Sequence, residues 1–274
     1  MTGTQRDLEA SKGGFKFAWP FPKKRTALYK MKSLLTMGFV SSVSRIMFLG
    51  GNKLIVHKKE RFLKQLEDTS RPLITISNHR SNIDDPLMWA MISFPELLRN
   101  LNRNRYTLAA HNICFSKQWH TNIFSLGRCV PCVRGEGVYQ PGMNFSVDML
   151  NENGWVHIFP EGRVTADPIR FKWGVGRLVM DSIAPPIIVP IWCQNMQNVW
   201  PVYPPYYPRF GHTVEVHVGE PIDTHEMRTA GAHEGIHRRK YITDQLQTAL
   251  FDLGERVGHV EKGTSLKLLR ENKD

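Results

Sequence analysis

Short apolar runs alternate with stretches of helical periodicity along most of the chain beyond residue 52, and this alternation constrains the fold more than any other sequence feature. The apolar runs are rich in β-branched and aromatic residues, which is typical of buried strands. The 274 residues suffice to bury a full core, so we predict a single α/β domain with a central mixed sheet flanked by helices. Strands are predicted at 72–77, 106–110, 129–133, 155–159, 186–192 and 213–219, and helices at 59–67, 86–92, 143–151, 175–182 and 238–258.

The stretch 34–49 is the part of the chain that best fits a membrane. It is shorter than the ~20 apolar residues that span a bilayer, and an arginine near the middle of a helix costs about 2.5 to 3.5 kcal/mol on insertion scales. We therefore predict an N-terminal helix that lies in the membrane interface or re-enters it, with packing on the protein core as the alternative. On a helical wheel Leu35, Phe39, Val40, Val43, Ile46 and Met47 share one side, and Ser41, Ser44 and Arg45 share the other.

A formal net charge of +11 indicates an anionic partner, and the position of the charge helps to identify it. Residues 12–32 contain no acid and lead directly into the apolar stretch, which is the usual order of a juxtamembrane basic segment. A solvated tail is the alternative. The sequence carries no recognisable nucleic-acid-binding motif, so we expect an anionic membrane as partner and no nucleic acid. The basic residues are Lys12, Lys16, Lys23, Lys24, Arg25, Lys30 and Lys32.

Histidine and aspartate side chains follow the predicted strand 72–77. His79 and Asp84 are five residues apart and would point about 140° apart on a continuous helix, so they meet only if the chain bends between them. The junction of a strand and a helix supplies such a bend. A carboxylate on one imidazole nitrogen leaves the other nitrogen ready to take a proton from a hydroxyl. We predict His79 as a general base that Asp84 orients.

Basic residues and a glycine stand at the ends of two further predicted strands. Glu161, Gly162 and Arg163 follow one of them, Lys172 comes shortly after, and Arg134 closes the other. Glycine permits close approach of the backbone, and Arg and Lys donate charge-assisted hydrogen bonds to phosphate. Taken singly, each of these basic residues is best interpreted as an ordinary surface charge. Together with His79 they predict a site for a phosphorylated alcohol.

These blocks, in this order, resemble the glycerophospholipid acyltransferase family. The family blocks are N-H-x4-D, a Gly-to-Arg block, F-P-E-G and a late hydrophobic strand that contains proline, found here at 78–84, 127–134, 159–162 and 186–191. Between about residues 19 and 220 the chain is still more similar to one family member. The shared runs lie at 19–22, 113–115, 124–131, 155–162, 171–174 and 204–211.

The resemblance implies a CoA-independent transacylase without a cofactor or metal, which exchanges acyl chains between phospholipids and lysophospholipids and remodels cardiolipin. It places the protein peripherally or monotopically on mitochondrial membranes, facing the intermembrane space. The sequence departs from the family pattern in two places. Arg163 stands where the similar family member often has lysine. The block 127–134 lacks the aromatic and acidic residues that are common in CoA-dependent relatives. The resemblance implies that His79 and Asp84 are catalytic and that Pro190 forms part of the acyl-pocket wall. It also implies that Arg134, Glu161, Gly162 and Arg163 bind the phosphate, and we add Lys172 to this set because of its positive charge.

The domain plan follows from these features: a basic segment at 1–32, a membrane-associated helix at 33–51, an acyltransferase domain at 52–260 and a C-terminal tail at 261–274. The oligomeric state stays open. The loop 200–210, rich in proline and aromatic residues, fits either contact with the bilayer interface or packing on the sheet.

Other functions fit parts of the sequence. The same blocks suit an acyl-CoA-dependent lysophospholipid acyltransferase, and the basic segment suits a non-catalytic membrane-binding protein. Residues 233–237 match H-E-x-x-H, the zinc-protease pattern, although Gly231 and Gly235 weaken the helix that this pattern needs. Cys129 and Cys132 form a C-x-x-C without a second copy to complete a zinc site, and we interpret them as two buried small residues.

Overall fold

The computed structural model describes residues 14–229 and 235–271. They form an eight-stranded sheet with helices on both faces. The strands are β1 (Lys53–His57), β2 (Leu73–Ser77), β3 (Tyr106–Ala110), β4 (Cys129–Cys132), β5 (Trp155–Ile158), β6 (Ile187–Gln194), β7 (Thr213–Val218) and β8 (Ile222–Asp223). The helices are α1 (Ala27–Leu49), α2 (Lys59–Glu67), α3 (Asp84–Met91), α4 (Phe94–Arg99), α5 (His111–Cys114), α6 (Gln118–Leu126), α7 (Pro141–Asn151), α8 (Gly174–Asp181), α9 (Met196–Val199), α10 (His225–Thr229), α11 (Gly235–Arg256) and α12 (Thr264–Glu271), with a 3₁₀ turn at Leu101–Arg103.

The strand order is β1-β7-β6-β2-β5-β3-β4, and β8 pairs with β6. Strands β2 to β6 run parallel to one another, β7 is antiparallel to β6, and β1 is parallel to β7. The predicted mixed sheet flanked by helices is confirmed. Since the carboxyl ends of parallel strands meet at one edge, the segments that follow β2, β4 and β5 are brought to the same side of the domain.

The core has two halves, one on each face of the sheet. Because side chains alternate along a strand, Ile74 and Ile76 of β2 enter the half that α7, α8 and α11 cover, whereas Leu73 enters the half that α1, α2 and α3 cover. Every residue of β2 is buried. The strand that leads into the predicted catalytic turn therefore lies in the rigid centre of the molecule.

Helix α1 lies on the domain with its polar side inward. Ser33 donates a hydrogen bond to the carbonyl of Leu126, and Ser41 to that of Trp89, at 2.7 and 3.4 Å. Part of the predicted apolar side faces away from the protein, with Leu35 and Phe39 66% and 70% exposed. Val40 and Met47 of the same side are partly buried against the core, so the helix packs on the domain along one edge of this side, and its contact with a membrane stays a prediction. Among the described residues, no helix is both long enough and apolar enough to cross a membrane.

Candidate active site

The chain bends sharply after β2 and brings His79 onto Asp84. The distance from His79 Nδ1 to Asp84 Oδ2 is 2.9 Å, and Asp84 is the first residue of α3. The same oxygen accepts hydrogen bonds from the backbone N–H groups of Arg80 and Ser81, at 2.6 and 2.8 Å. Asp84 is 1% exposed. Its carboxylate is thus fixed by three donors, and it fixes the imidazole in turn.

The imidazole of His79 is held on its flat side as well. Its ring stacks on Phe159 with centroids 4.1 Å apart and an interplanar angle of 18°. A carboxylate only accepts hydrogen bonds, so Nδ1 is the nitrogen that carries the proton. The lone pair therefore lies on Nε2, the nitrogen turned away from Asp84. This arrangement suits the abstraction of a proton from a hydroxyl group.

A buried ion pair between Arg80 and Glu161 stabilises the turn that carries His79. Arg80 Nη1 lies 2.9 and 2.8 Å from the two carboxylate oxygens of Glu161, and the two side chains are 4% and 0% exposed. Glu161 Oε2 also accepts a hydrogen bond from the backbone N–H of His79 at 2.9 Å. Burial raises the pKa of Glu161 above its ordinary value, while Arg80 opposes the rise. Both oxygens of Glu161 are used within the protein, so we assign it to holding the turn rather than to phosphate.

Asn78 joins the end of β2 to the end of β6. Its side-chain amide donates to the carbonyl of Cys193 at 2.9 Å and accepts from the N–H of Cys193 at 2.8 Å. Asn78 is fully buried. Neither the pairing of Asn78 with Cys193 nor the role of Arg80 was predicted from the sequence. The sequence did point to Asn78, because this asparagine directly precedes the predicted base His79.

Gly162, Arg163 and Lys172 lie beside the predicted base. Gly162 has a φ of +71°, which favours glycine, and a Cβ there would lie 3.2 Å from Cγ of Lys172. The aliphatic part of the Lys172 side chain therefore packs against the backbone at Gly162. The N–H of Thr165 donates to the carbonyl of His79 at 3.1 Å, which ties this loop to the catalytic turn. Arg163 and Lys172 are exposed. Arg163 lies in this loop, and the N–H of Lys172 donates to the carbonyl of Pro160 at 2.7 Å, so both residues are carried by the segment that is bound to the catalytic turn.

Arg134 lies farther from the dyad than the sequence blocks suggest. It follows β4, and the order β2-β5-β3-β4 separates β2 from β4 by three strand spacings, about 14 Å. The structure thus groups His79, Asp84, Glu161, Gly162, Arg163 and Lys172 and leaves Arg134 at the end of the sheet.

Pro190 is buried within β6, opposite Ile76 of β2. Strand β6 pairs with β8 up to Ile188 and with β7 from Ile191, so the missing N–H of the proline falls between two ladders. Its Cγ would lie 2.7 Å from a Cβ at Gly219. The ring is packed against the sheet, and contact with an acyl chain stays a prediction.

The other sequence candidates fall outside the site. Burial raises the pKa of Cys129 well above its ordinary value and that of Cys132 to about 11, which disfavours the thiolate that redox or metal chemistry needs. Of the H-E-x-x-H run, His233 and Glu234 lie outside the described residues.

A cavity of about 630 Å³ opens at the opposite edge of the sheet, at the amino ends of β2 and β6. Arg71 and Asp223 line it and pair with each other at 2.6 and 2.7 Å. Five residues of β2, about 15 Å of strand, lie between this cavity and the dyad. We assign it no part in the chemistry at His79.

Known proteins share much of this sequence. A sequence model described as Acyltransferase matches residues 53–194. The chain is 34% identical to Tafazzin of Drosophila melanogaster over 86% of its own length and 64% of the relative's, and 41% identical to a Dictyostelium discoideum protein named Taffazin over 60% of each chain. It is 37% identical to N-acylphosphatidylethanolamine synthase of Arabidopsis thaliana over 63% of this chain and 64% of that protein.

The fold also has a solved counterpart. The 1-acyl-sn-glycerophosphate (LPA) acyltransferase PlsC of Thermotoga maritima superposes with a TM-score of 0.57 and 16% identity, over 94% of this chain and 90% of that one. The chain spans 60 to 64% of the length of the three curated relatives named above. The match to the family model and the similarity to tafazzins agree with the blocks read from the sequence. The chain belongs to the acyltransferase family.

Proposed function

We propose that the protein moves a fatty acyl chain from a phospholipid to the hydroxyl of a lysophospholipid without CoA. The observation that carries this proposal is the His79–Asp84 pair, which leaves Nε2 of His79 as an acceptor, while the segment that is bound to the catalytic turn carries the exposed cations Arg163 and Lys172. A base next to phosphate-binding cations suits a substrate that carries both a hydroxyl and a phosphate. The tafazzin relatives support the choice of a phospholipid as donor.

In the proposed mechanism the lysolipid hydroxyl attacks the ester carbonyl of the donor while His79 Nε2 takes its proton. Asp84 stabilises the imidazolium that forms, because its carboxylate is 2.9 Å from Nδ1. The tetrahedral intermediate then expels the donor's glycerol oxygen, which takes the proton back from Nε2. One ester bond forms and one breaks, the base is restored, and the enzyme forms no covalent intermediate.

The acceptor phosphate is expected to bind at Arg163 and Lys172. Replacing both by alanine should raise the KM for the lysophospholipid about tenfold and change kcat little, because exposed charge-assisted contacts contribute on the order of 1 kcal/mol each. Initial rates in mixed micelles across acceptor concentrations measure this. Lys262→Ala, which removes an exposed lysine from the C-terminal part of the chain, is the control and should leave KM unchanged. A fall in kcat with an unchanged KM would contradict the assignment.

We propose that the membrane binds the exposed apolar side chains of α1 and the aromatic loop 200–210. Leu28, Leu35, Phe39 and Ile46 are exposed along α1 at helical spacing. The loop begins beside the catalytic turn, since Ser81 Oγ donates to the carbonyl of residue 200 at 3.0 Å. At its other end, the N–H of residue 211 donates to the carbonyl of residue 51, just beyond α1. This path supports delivery of lipid from the bilayer surface to His79.

The double variant Leu35→Ser/Phe39→Ser should weaken binding to anionic liposomes at least tenfold. Two large apolar side chains that enter a bilayer contribute about 1.5 to 3 kcal/mol each. Liposome co-sedimentation measures the partition. Leu266→Ser is the matched control, because it removes a comparably exposed leucine on α12. Equal losses of binding in the double variant and the control would show that α1 is not the contact surface.

The resemblance to tafazzins extends the proposal to its finer parts: cardiolipin remodelling, peripheral or monotopic attachment to mitochondrial membranes, and a site that faces the intermembrane space. Adding monolysocardiolipin beside a lysophosphatidylcholine in the same liposomes tests the first part. Preferential acylation of monolysocardiolipin is the expected result.

The choice of donor separates the proposal from its alternative, an acyl-CoA-dependent lysophospholipid acyltransferase. We expect label to move from phosphatidylcholine to the lysolipid at the same rate with and without added CoA. Transfer that occurs only from labelled acyl-CoA would support the alternative. Acylation of the amine of phosphatidylethanolamine in place of the lysolipid hydroxyl would replace the proposed acceptor.

A further inference from the structure

Three side chains with metal-binding atoms converge on one face of the sheet, on strands that do not carry the dyad. His57 is the last residue of β1, and the parallel register places it opposite His217 of β7. Glu215 precedes His217 by two residues and so points to the same face of the strand. The two imidazole rings stack with centroids 4.3 Å apart and an interplanar angle of 6°.

The donor atoms are already close to one another. Nε2 of His57 lies 2.7 Å from Oε2 of Glu215, and Nε2 of His217 lies 3.7 Å from the same oxygen. One ligand atom from each of the three residues can be chosen so that all three atoms lie within 4.8 Å of one another. Nε2 of His217 is buried and has no hydrogen-bond partner within the part of the chain that the structure describes. A buried polar atom without a partner costs about 1 to 3 kcal/mol, and a bond to a metal would satisfy it.

We propose that His57, Glu215 and His217 bind a zinc ion, with water as the fourth ligand. Two imidazoles and a carboxylate are an established ligand set for Zn²⁺, with bonds of about 2.0 to 2.2 Å. In a tetrahedral site with such bonds, neighbouring ligand atoms lie about 3.3 Å apart. The observed separations of 2.7 and 3.7 Å lie on either side of that value. The two imidazole rings are nearly parallel, and a metal lies in the plane of each imidazole that binds it, so one ring must rotate out of the stack for the site to close.

The position of the site suggests a structural effect of the metal. In the described sheet β1 stands at the end of the strand order and pairs with β7. A metal held by one residue of β1 and two of β7 would tie this edge strand to the sheet. Strand β6 lies between the site and β2, which leads into the catalytic turn. The proposal rests on these three side chains and not on the proposed transacylase activity.

The test is a zinc titration of the full chain after removal of metal with a chelator and dialysis. Isothermal calorimetry should show one Zn²⁺ per chain, and zinc should raise the temperature of thermal unfolding. The double variant His57→Gln/His217→Gln should lose at least tenfold in zinc affinity, since even residues that only support metal ligands are worth about 10- to 100-fold. It should also lose the thermal shift.

Two further variants make the result specific. His57→Gln alone changes the more exposed of the two histidines and serves if the double variant does not fold, as judged by circular dichroism. His233→Gln/His237→Gln removes the histidines of the H-E-x-x-H run and should bind zinc like the wild type. Absence of zinc binding by the wild type, unchanged affinity in both His57 variants, or loss of zinc in the His233/His237 variant would each overturn the proposal.

Discussion

Replacing Asp84 by asparagine is expected to lower the rate of acyl transfer about 10²- to 10⁴-fold and to leave the chain folded. Oδ2 of Asp84 accepts all three hydrogen bonds, from His79 Nδ1 and from the N–H groups of Arg80 and Ser81. The amide oxygen of asparagine is able to take its place and keep the turn. The variant loses the negative charge that stabilises the imidazolium, so the loss should appear in kcat.

Acyl transfer in liposomes and thermal unfolding measure the two parts of this prediction. Asp167→Asn is the matched control, because Asp167 is exposed on the loop that follows Arg163, and it should keep the wild-type rate. A rate within a few-fold of wild type in Asp84→Asn would show that the charge of Asp84 is dispensable. A large fall in the unfolding temperature would show instead that the variant acts through the fold.

Replacing Arg80 by methionine is expected to lower the free energy of unfolding by about 3 to 5 kcal/mol, because it leaves the charge of Glu161 buried without its partner. Both carboxylate oxygens of Glu161 lie within 2.9 Å of Arg80 Nη1, and Glu161 is 0% exposed. Urea unfolding measures the loss. Arg163→Met, at a neighbouring exposed arginine, is the control and should change the stability little.

The loss in Arg80→Met should depend on pH. Burial raises the pKa of Glu161 in the folded protein, and Arg80 opposes this rise, so removing Arg80 raises the pKa further. A carboxyl group whose pKa is raised on folding contributes stability below its unfolded pKa, and this stability is lost as the pH rises through the folded pKa. The deficit should therefore be larger at about pH 8 than at about pH 5.5, which lies nearer the ordinary Glu value of about 4.3. An equal deficit at both pH values would contradict the buried charge as its cause.

Much of the fold could be predicted because the central strands are continuous apolar runs. Strand β2 is buried along its whole length, and the sequence pattern located it to within one residue. Strand β1 was missed because it is a half-buried edge strand that begins with lysine and ends with histidine, so it lacks that pattern. The orientation of α1 follows from its three buried serines, Ser33, Ser41 and Ser44, which pair with backbone carbonyls and let the helix approach the domain closely.

Contacts within the site were predictable between residues that are close in the chain, and were missed between residues that are far apart. His79 and Asp84 meet because a single turn separates them. The partner of Glu161 is 81 residues away, so its burial and its pairing with Arg80 depend on the register of β2 with β5. His57 and Glu215 are 158 residues apart and meet through the register of two strands at the other end of the sheet. Spacing along the sequence carries no signal for such pairs.

The central claim is that His79 takes the proton in an acyl exchange between phospholipids. The most direct measurement follows a labelled acyl chain from phosphatidylcholine to a lysophospholipid in liposomes, without CoA, for the wild type and His79→Ala. Transfer by the wild type, reduced about 10²- to 10⁴-fold in a folded His79→Ala variant, is the predicted result. Equal transfer by both proteins, or no transfer by the wild type without acyl-CoA, would contradict it.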